Sequence, residues 1–188
     1  MRALIVYESM YGNTHLIADR IAAGFGAEDE VRVVPVRDAG TDLVDWADLL
    51  VVGGPTHAHS LSRETTRRSA REAAAKSTSH LTMDPSSDGP GVRNWFSGLA
   101  ALHGKDAAAF DTRLDAPPIF TGRASKGIDH RLEHRGATLI AAAESFLVNR
   151  DNELVDGEAE RAARWGQTLA RAPIDIAGRV AETVPPAR

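Results

Sequence analysis

The chain has 188 residues, 43% hydrophobic and 26% charged, which fits one globular domain able to bury a five-stranded sheet between helices. A formal charge of −4 argues against a nucleic-acid or anionic-membrane partner, since either needs a basic face. With no cysteine, disulfides, thiolate metal sites, cysteine-ligated iron–sulfur clusters and thiol nucleophiles are excluded, and redox chemistry has to come from a bound cofactor.

Ala3–Tyr7 is a continuous apolar run of the kind found in strands buried on both faces. It is too short for a membrane helix, so we expect no membrane insertion, no signal peptide and a cytoplasmic location. Thr14–Phe25 carries Ile17, Ile21 and Phe25 at helical spacing beside Ala18 and Ala22, and Gly24 and Gly26 favour its end. Val31–Val36 reads as a strand placed at a sheet edge by Pro35. Asp48–Gly53 reads as a third, buried strand. Ser62–Ser77 reads as a helix with five basic residues (Arg63, Arg67, Arg68, Arg71, Lys76) and two acidic ones (Glu64, Glu72). Thr78–Gly91 is turn-rich and is expected to be a mobile surface loop.

Further on, Trp95, Phe96, Leu99 and Leu102 form a helical stripe within Val92–Leu102. Ala107–Phe110 is a short fourth strand, Ser125–Arg135 a helix, and Ala137–Ala143 a fifth strand that Ser145–Val148 extends after a break. Glu158–Ala170 is a final helix with Asp156 as its N-cap. Trp46, Trp95 and Trp165 are read as packing residues. The expected organisation is one domain over 1–172, with an insertion at about 62–91, and a tail over 173–188 whose end, Pro185–Arg188, is frayed.

This alternation implies a three-layer, doubly wound α/β fold with a five-stranded parallel sheet. An edge position for the second strand fits the order 2-1-3-4-5, in which the ligand crevice opens at the carboxyl ends of strands one and three. The loop there reads Glu8-Ser9-Met10-Tyr11-Gly12-Asn13-Thr14 and runs straight into a helix. A helix N-terminus offers unpaired N–H groups and partial positive charge, so a phosphate fits without lysine or arginine. Ser9, Asn13 and Thr14 add donors, and Gly12 lets the backbone fold tightly. The loop lacks both the Gly-Lys-Ser/Thr of nucleoside-triphosphate loops and the Gly-x-Gly-x-x-Gly of dinucleotide folds. A neutral cradle suits one terminal phosphate monoester.

Ile5 to Ile21 resembles the flavodoxin signature: Ile5, Val6, Tyr7, Ser9, Gly12, Thr14, Ala18 and Ile21 occupy its specified positions. The resemblance implies a flavodoxin-like fold and non-covalent FMN, with its phosphate held by Ser9, Met10, Tyr11, Gly12, Asn13 and Thr14. It also implies that a second loop, Gly53–Ser60, covers one flavin face through Pro55, Thr56, His57 and Ala58. This loop contains no Trp or Tyr, so His57 is read either as a stacking or hydrogen-bonding group or as a solvent-exposed loop histidine. His59 reads as exposed, and a metal bound by His57 and His59 lacks a third ligand. A third loop is expected to clasp the other flavin face through Asp111, Thr112 and Arg113. There Arg113 is either a stabiliser of reduced flavin or a surface ion-pair partner, and Phe120 either core or lid. Glu8, repelled by a phosphate, is expected to face the sheet top near the flavin.

No nucleophile–base pair and no metal cluster is evident, so no catalytic or metal residue is assigned. Three functions follow from the resemblance. The first is an FMN electron carrier serving a redox partner protein or a small quinone-type acceptor. The second is an FMN-dependent quinone or protoporphyrinogen-type oxidoreductase on the same fold. The third is a flavodoxin-fold binding module without cofactor.

Overall fold

The computed structural model describes residues 1–173, so the expected tail lies almost wholly outside the described residues. The elements in chain order are β1 (Arg2–Tyr7), α1 (Asn13–Ala22), β2 (Glu30–Pro35), α2 (Thr41–Trp46), β3 (Leu49–His57), β4 (Ser60–Leu61) and α3 (Glu64–Ala74). They continue with α4 (Val92–Gly98), β5 (Asp106–Leu114), α5 (Pro118–Thr121), α6 (Ala124–His134), β6 (Thr138–Leu139), β7 (Glu144–Val148) and α7 (Glu158–Arg171).

Strand order along the sheet is β2-β1-β3-β5-β6, with β7 following β6 along the same side of β5. All these pairings are parallel, and only the two-residue β4 folds back antiparallel on β3. This is the expected order, with β5 as fourth strand and β6 and β7 as two pieces of the fifth. The expected Ala137–Ala143 strand is thus interrupted: only Thr138–Leu139 pairs at the start of β5, and the ladder resumes at Phe110↔Glu144.

Period-two alternation divides the strand residues between two cores. Leu4, Val6, Leu50, Val52, Ala107 and Ala109 face the layer of α2, α4 and α6. Ala3, Ile5, Leu49, Val51, Ala108 and Phe110 face α1 and α7. Trp165 meets Phe110 and Phe146 edge-on at centroid distances of 6.3 and 6.2 Å, while Trp46 and Trp95 pack half-buried against the opposite core.

Two close approaches depend on glycine. A Cβ on Gly53 would lie 2.1 Å from Cζ of Phe110. Where α1 and α7 cross, a Cβ on Gly24 would lie 2.1 Å from the Ala163 carbonyl oxygen, and one on Gly166 equally near that of Ile21. The cap of α7 is Gly157, in the left-handed region at φ 83°, and not Asp156. Gly157 accepts that conformation without a Cβ penalty, and Glu158 supplies the first-turn carboxylate.

Candidate functional site

Between β1 and α1 the chain makes a tight loop. Gly12 sits at φ 97° as the residue before α1, and its N–H donates to Ser9 Oγ at 3.0 Å. The first-turn N–H groups of Asn13, Thr14 and His15 lie too early in α1 for an intrahelical acceptor. Thr14 Oγ1 and Thr112 Oγ1 are 2.7 Å apart and buried. One of those hydroxyl protons bridges the pair, which leaves the other, and that of Ser9, to donate elsewhere. The Tyr11 hydroxyl donates to the Ala70 carbonyl at 2.9 Å, and Asn13 Nδ2 to the Asn152 carbonyl at 2.8 Å. The loop is therefore held from both sides while its donors remain directed at one small volume.

The other wall differs from the expectation. The second loop is largely strand: Gly54 and Pro55 pair with Asp111 and Thr112, and Thr56 and His57 pair back with β4. The glycines and Pro55 suggest a strand end, but β1 stops opposite Gly53, and past that point β3 has an open side that tolerates a residue without an N–H. The turn at its tip is Ala58 and His59, both at positive φ (45° and 70°), matching the twist of a two-residue hairpin.

The third loop is also strand. Asp111, Thr112 and Arg113 lie within β5, which runs four residues past the expected end because β7 pairs with it through Val148. Asp111 is fully buried and points away, its Oδ2 accepting the Ser125 N–H at 2.8 Å at the start of α6. Thr56 Oγ1 accepts the neighbouring Ala124 N–H at the same distance. Phe120 belongs to neither reading: it is 71% exposed on α5, beside Ile119 at 82%.

These walls enclose a cleft of about 260 Å³ at the carboxyl ends of the strands. Of the thirteen expected cofactor residues, Ser9, Met10, Tyr11, Asn13 and Thr14 line it from the α1 side. Pro55, Thr56, His57, Thr112 and Arg113 line it from β3 and β5. Gly12 shapes the loop from behind, Asp111 faces α6, and exposed Ala58 borders a separate depression with Arg63. Five lining residues escape the sequence reading: Leu114 and Val148 at strand ends, and Asn149, Arg150 and Asn152 in the turn after β7. The run Asn149-Arg-Asp-Asn-Glu is a turn signal after a strand, and extending the carboxyl-end rule to the fifth strand would find it.

A groove of about 490 Å³ adjoins the cleft along α3, with Tyr11 and His57 shared between them. Tyr11 is the aromatic ring that borders both cavities. Burial pushes the His57 pKa below its usual value; Glu8 raises it and Arg67 lowers it further, so the imidazole is neutral at pH 7. Among the described residues, no carboxylate lines the cleft. The Arg113 guanidinium donates to the Ala116 carbonyl at 2.7 Å, yet its Nε–H is buried without an acceptor.

Glu8 turns away from the phosphate loop. Buried, it accepts from Ser62 Oγ at 2.5 Å and Val92 N–H at 2.8 Å, with Arg67 Nε at 3.6 Å. Arg67 in turn donates to the Ser87 carbonyl at 2.9 Å. The inserted segment is therefore anchored at both ends to the residue after β1. Thr78–Gly91 is not wholly a surface loop either: Asp84 and Ser87 are buried, and Asp84 N–H donates to the Met10 carbonyl at 2.8 Å.

No helix among the described residues is long and apolar enough to cross a membrane. No curated protein matches the sequence. Among solved structures, flavodoxin 2 of Bacillus cereus is similar at 20% identity and a TM-score of 0.63, over 90% of this chain and 98% of that one. Flavodoxin 1 of Bacillus cereus is similar at 18% and 0.62, over 92% and 100%. The flavodoxin WrbA-like protein of Agrobacterium tumefaciens is similar at 20% and 0.56, over 90% and 94%. At these identities the likeness is one of fold. The sequence itself matches the flavodoxin-domain family model over residues 4–88. That match takes in the phosphate loop, and the described chain shares the flavodoxin fold.

Proposed function

We propose that this chain holds FMN non-covalently in the cleft between the α1 N-terminus and the ends of β3 and β5, and works in the cytoplasm as an electron-transfer flavoprotein. The observation that carries the reading is the meeting of ten expected cofactor residues from three separate segments on one cleft. The residues present suit the group. Unpaired N–H groups and hydroxyls of Ser9–Thr14 match a phosphate monoester. His57, Pro55 and Leu114 offer flat and apolar contact toward the other end, and the buried Arg113 Nε–H is a donor in want of an acceptor. FMN supplies one- and two-electron redox chemistry when bound; the protein positions it and sets its electrostatic surroundings.

In this reading Ser9, Thr14 and the first-turn N–H groups bind and orient the phosphate end. Tyr11 and His57 divide the cleft from the α3 groove, and neutral His57 is able to donate a hydrogen bond without adding charge. The absorption spectrum tests it: purified chain mixed with FMN and passed through gel filtration is expected to retain about one flavin. Thr14→Val is expected to weaken binding by roughly tenfold or more through the lost hydroxyl. Colourless protein after this treatment would leave the cofactor-free module.

The groove along α3 favours a second reading, an FMN-dependent quinone or protoporphyrinogen-type oxidoreductase. Thr65, Thr66, Ser69 and Ala73 line it directly beside His57, where a small acceptor would reach the flavin edge. Steady-state turnover of NAD(P)H with a quinone separates it from a carrier, which needs a reductase and a partner protein.

A further inference from the structure

We propose that Arg150 is a specificity residue that selects the phosphorylated flavin, so that this site discriminates FMN from riboflavin by a full positive charge and not by its backbone cradle alone. The inference rests on the FMN reading above and concerns a residue outside the phosphate loop.

The turn after β7 is built to hold its shape. Asn149 Oδ1 accepts the N–H groups of Asp151 and Glu153, both at 2.9 Å, and Asn149 N–H donates to the Glu153 carbonyl at 2.8 Å. Val148 and Leu154 close it with an antiparallel bridge, and Asn152 takes φ 62° within it. Such side-chain-to-backbone bonding is the reason asparagine stabilises tight turns. The turn is also fixed relative to the phosphate loop, because the Asn152 carbonyl accepts Asn13 Nδ2. From the inserted segment, His80 Nε2 lies 3.2 Å from the Asp151 carbonyl.

This framework carries Arg150 on the wall of the cleft that Ser9, Asn13 and Thr14 also line. Two of the fifteen lining residues are arginines and none is acidic. Arg113 is engaged with the Leu114 and Ala116 carbonyls and Thr121 Oγ1. Arg150 has no hydrogen-bond or ion-pair partner among the described residues. Of the two lining arginines, it is therefore the one whose whole guanidinium is free to meet a ligand. A helix N-terminus offers the equivalent of roughly half a charge, against about two on a phosphate monoester at neutral pH. A guanidinium adds a full charge with donors in a fork that matches phosphate oxygens. Riboflavin, which lacks the phosphate, gains nothing from it.

The test titrates FMN and riboflavin separately into wild type, Arg150→Ala and Arg150→Lys, reading flavin fluorescence at low and high salt. Arg150→Ala is expected to weaken FMN by roughly ten- to a hundredfold, with riboflavin unchanged and a shallower salt dependence for FMN. Arg150→Lys is expected to fall between the two, keeping charge without the fork. Arg150 is exposed, so the variants should fold, and a thermal melt confirms it. An FMN affinity within about twofold of wild type, or an equal loss for both flavins, overturns the assignment while leaving the FMN reading intact. A wild type that binds neither flavin overturns both.

Discussion

The two walls of the cleft are specified in different ways. The α1 wall is local: Ser9, Gly12 and Thr14 lie within six residues, and the helix they introduce aims its own N–H groups. The β3/β5 wall is not local. Pro55 is held in place because β5 continues beside it, Thr56 and His57 because β4 folds back on them, and β5 continues because β7 pairs with its far side. A binding surface written in one contiguous stretch tolerates changes elsewhere, whereas one made by strand extension depends on every strand that supports it.

The largest test of that contrast lies at Gly53, where β3 leaves the core to become wall. Gly53→Ala places a methyl inside the Phe110 ring, which is flanked by Phe146 and Trp165 and has nowhere to move. We expect a loss of about 3 kcal/mol or more in denaturant unfolding, or failure to fold. A fully folded variant with native stability would show that this part of β3 is not packed as described.

Asp111 separates wall from ligand contact. Asp111→Ala leaves the Ser125 N–H at the head of α6 buried without its acceptor. The expected cost is about 1–3 kcal/mol in stability, with FMN affinity in the surviving folded fraction close to wild type. A selective loss of FMN affinity with stability intact would return Asp111 to the cofactor.

Acid probes the braces on either side. Burial raises the Asp84 pKa, but the Ser86 hydroxyl and N–H and the His15 ring outweigh it, and the net value lies below 3.8. Glu158 is likewise raised by burial and pulled below 4.5 by Arg161 and the Leu147 N–H. Both stabilise the fold fully above their ordinary values, and that contribution disappears as pH falls through the depressed ones. Asp84→Asn and Glu158→Gln should each flatten the acid limb of a stability–pH curve. Burial depresses the His57 pKa too, so as pH falls below neutral the unfolded chain takes up a proton before the native one does, and stability declines. His57→Gln should remove that shallower slope.

The smallest effect is a gain. Ala58 and His59 both occupy positive φ in the β3–β4 turn. The double substitution Ala58→Asn with His59→Gly writes the Asn-Gly pair that such a turn favours. It should raise stability by roughly 0.5–1 kcal/mol, read as a few degrees in melting temperature.

The same contrast explains what is legible in the sequence. The layer architecture, the strand order and the Ser9–Thr14 loop follow from apolar periodicity and one motif, since each depends on neighbours in the chain. The extension of β3 through Gly53, Gly54 and Pro55 is hidden because these residues signal an end wherever no partner strand is known. Asp111–Arg113 likewise reads as loop until β7 supplies the second edge. Phe120 reads as core because aromatic residues usually are, but α5 is a four-residue helix with no layer above it. Glu8, expected near the flavin, is claimed by Ser62 and Val92, more than fifty positions away.

The crossing of Gly24 with Gly166 also bears on how the protein is made. Ile17 and Ile21 of α1 are fully buried under a helix that begins only at Glu158. During synthesis the α1 layer therefore stays unfinished on its α7 side until nearly the whole described chain has left the ribosome. For that interval the nascent chain presents an apolar surface that the finished protein covers.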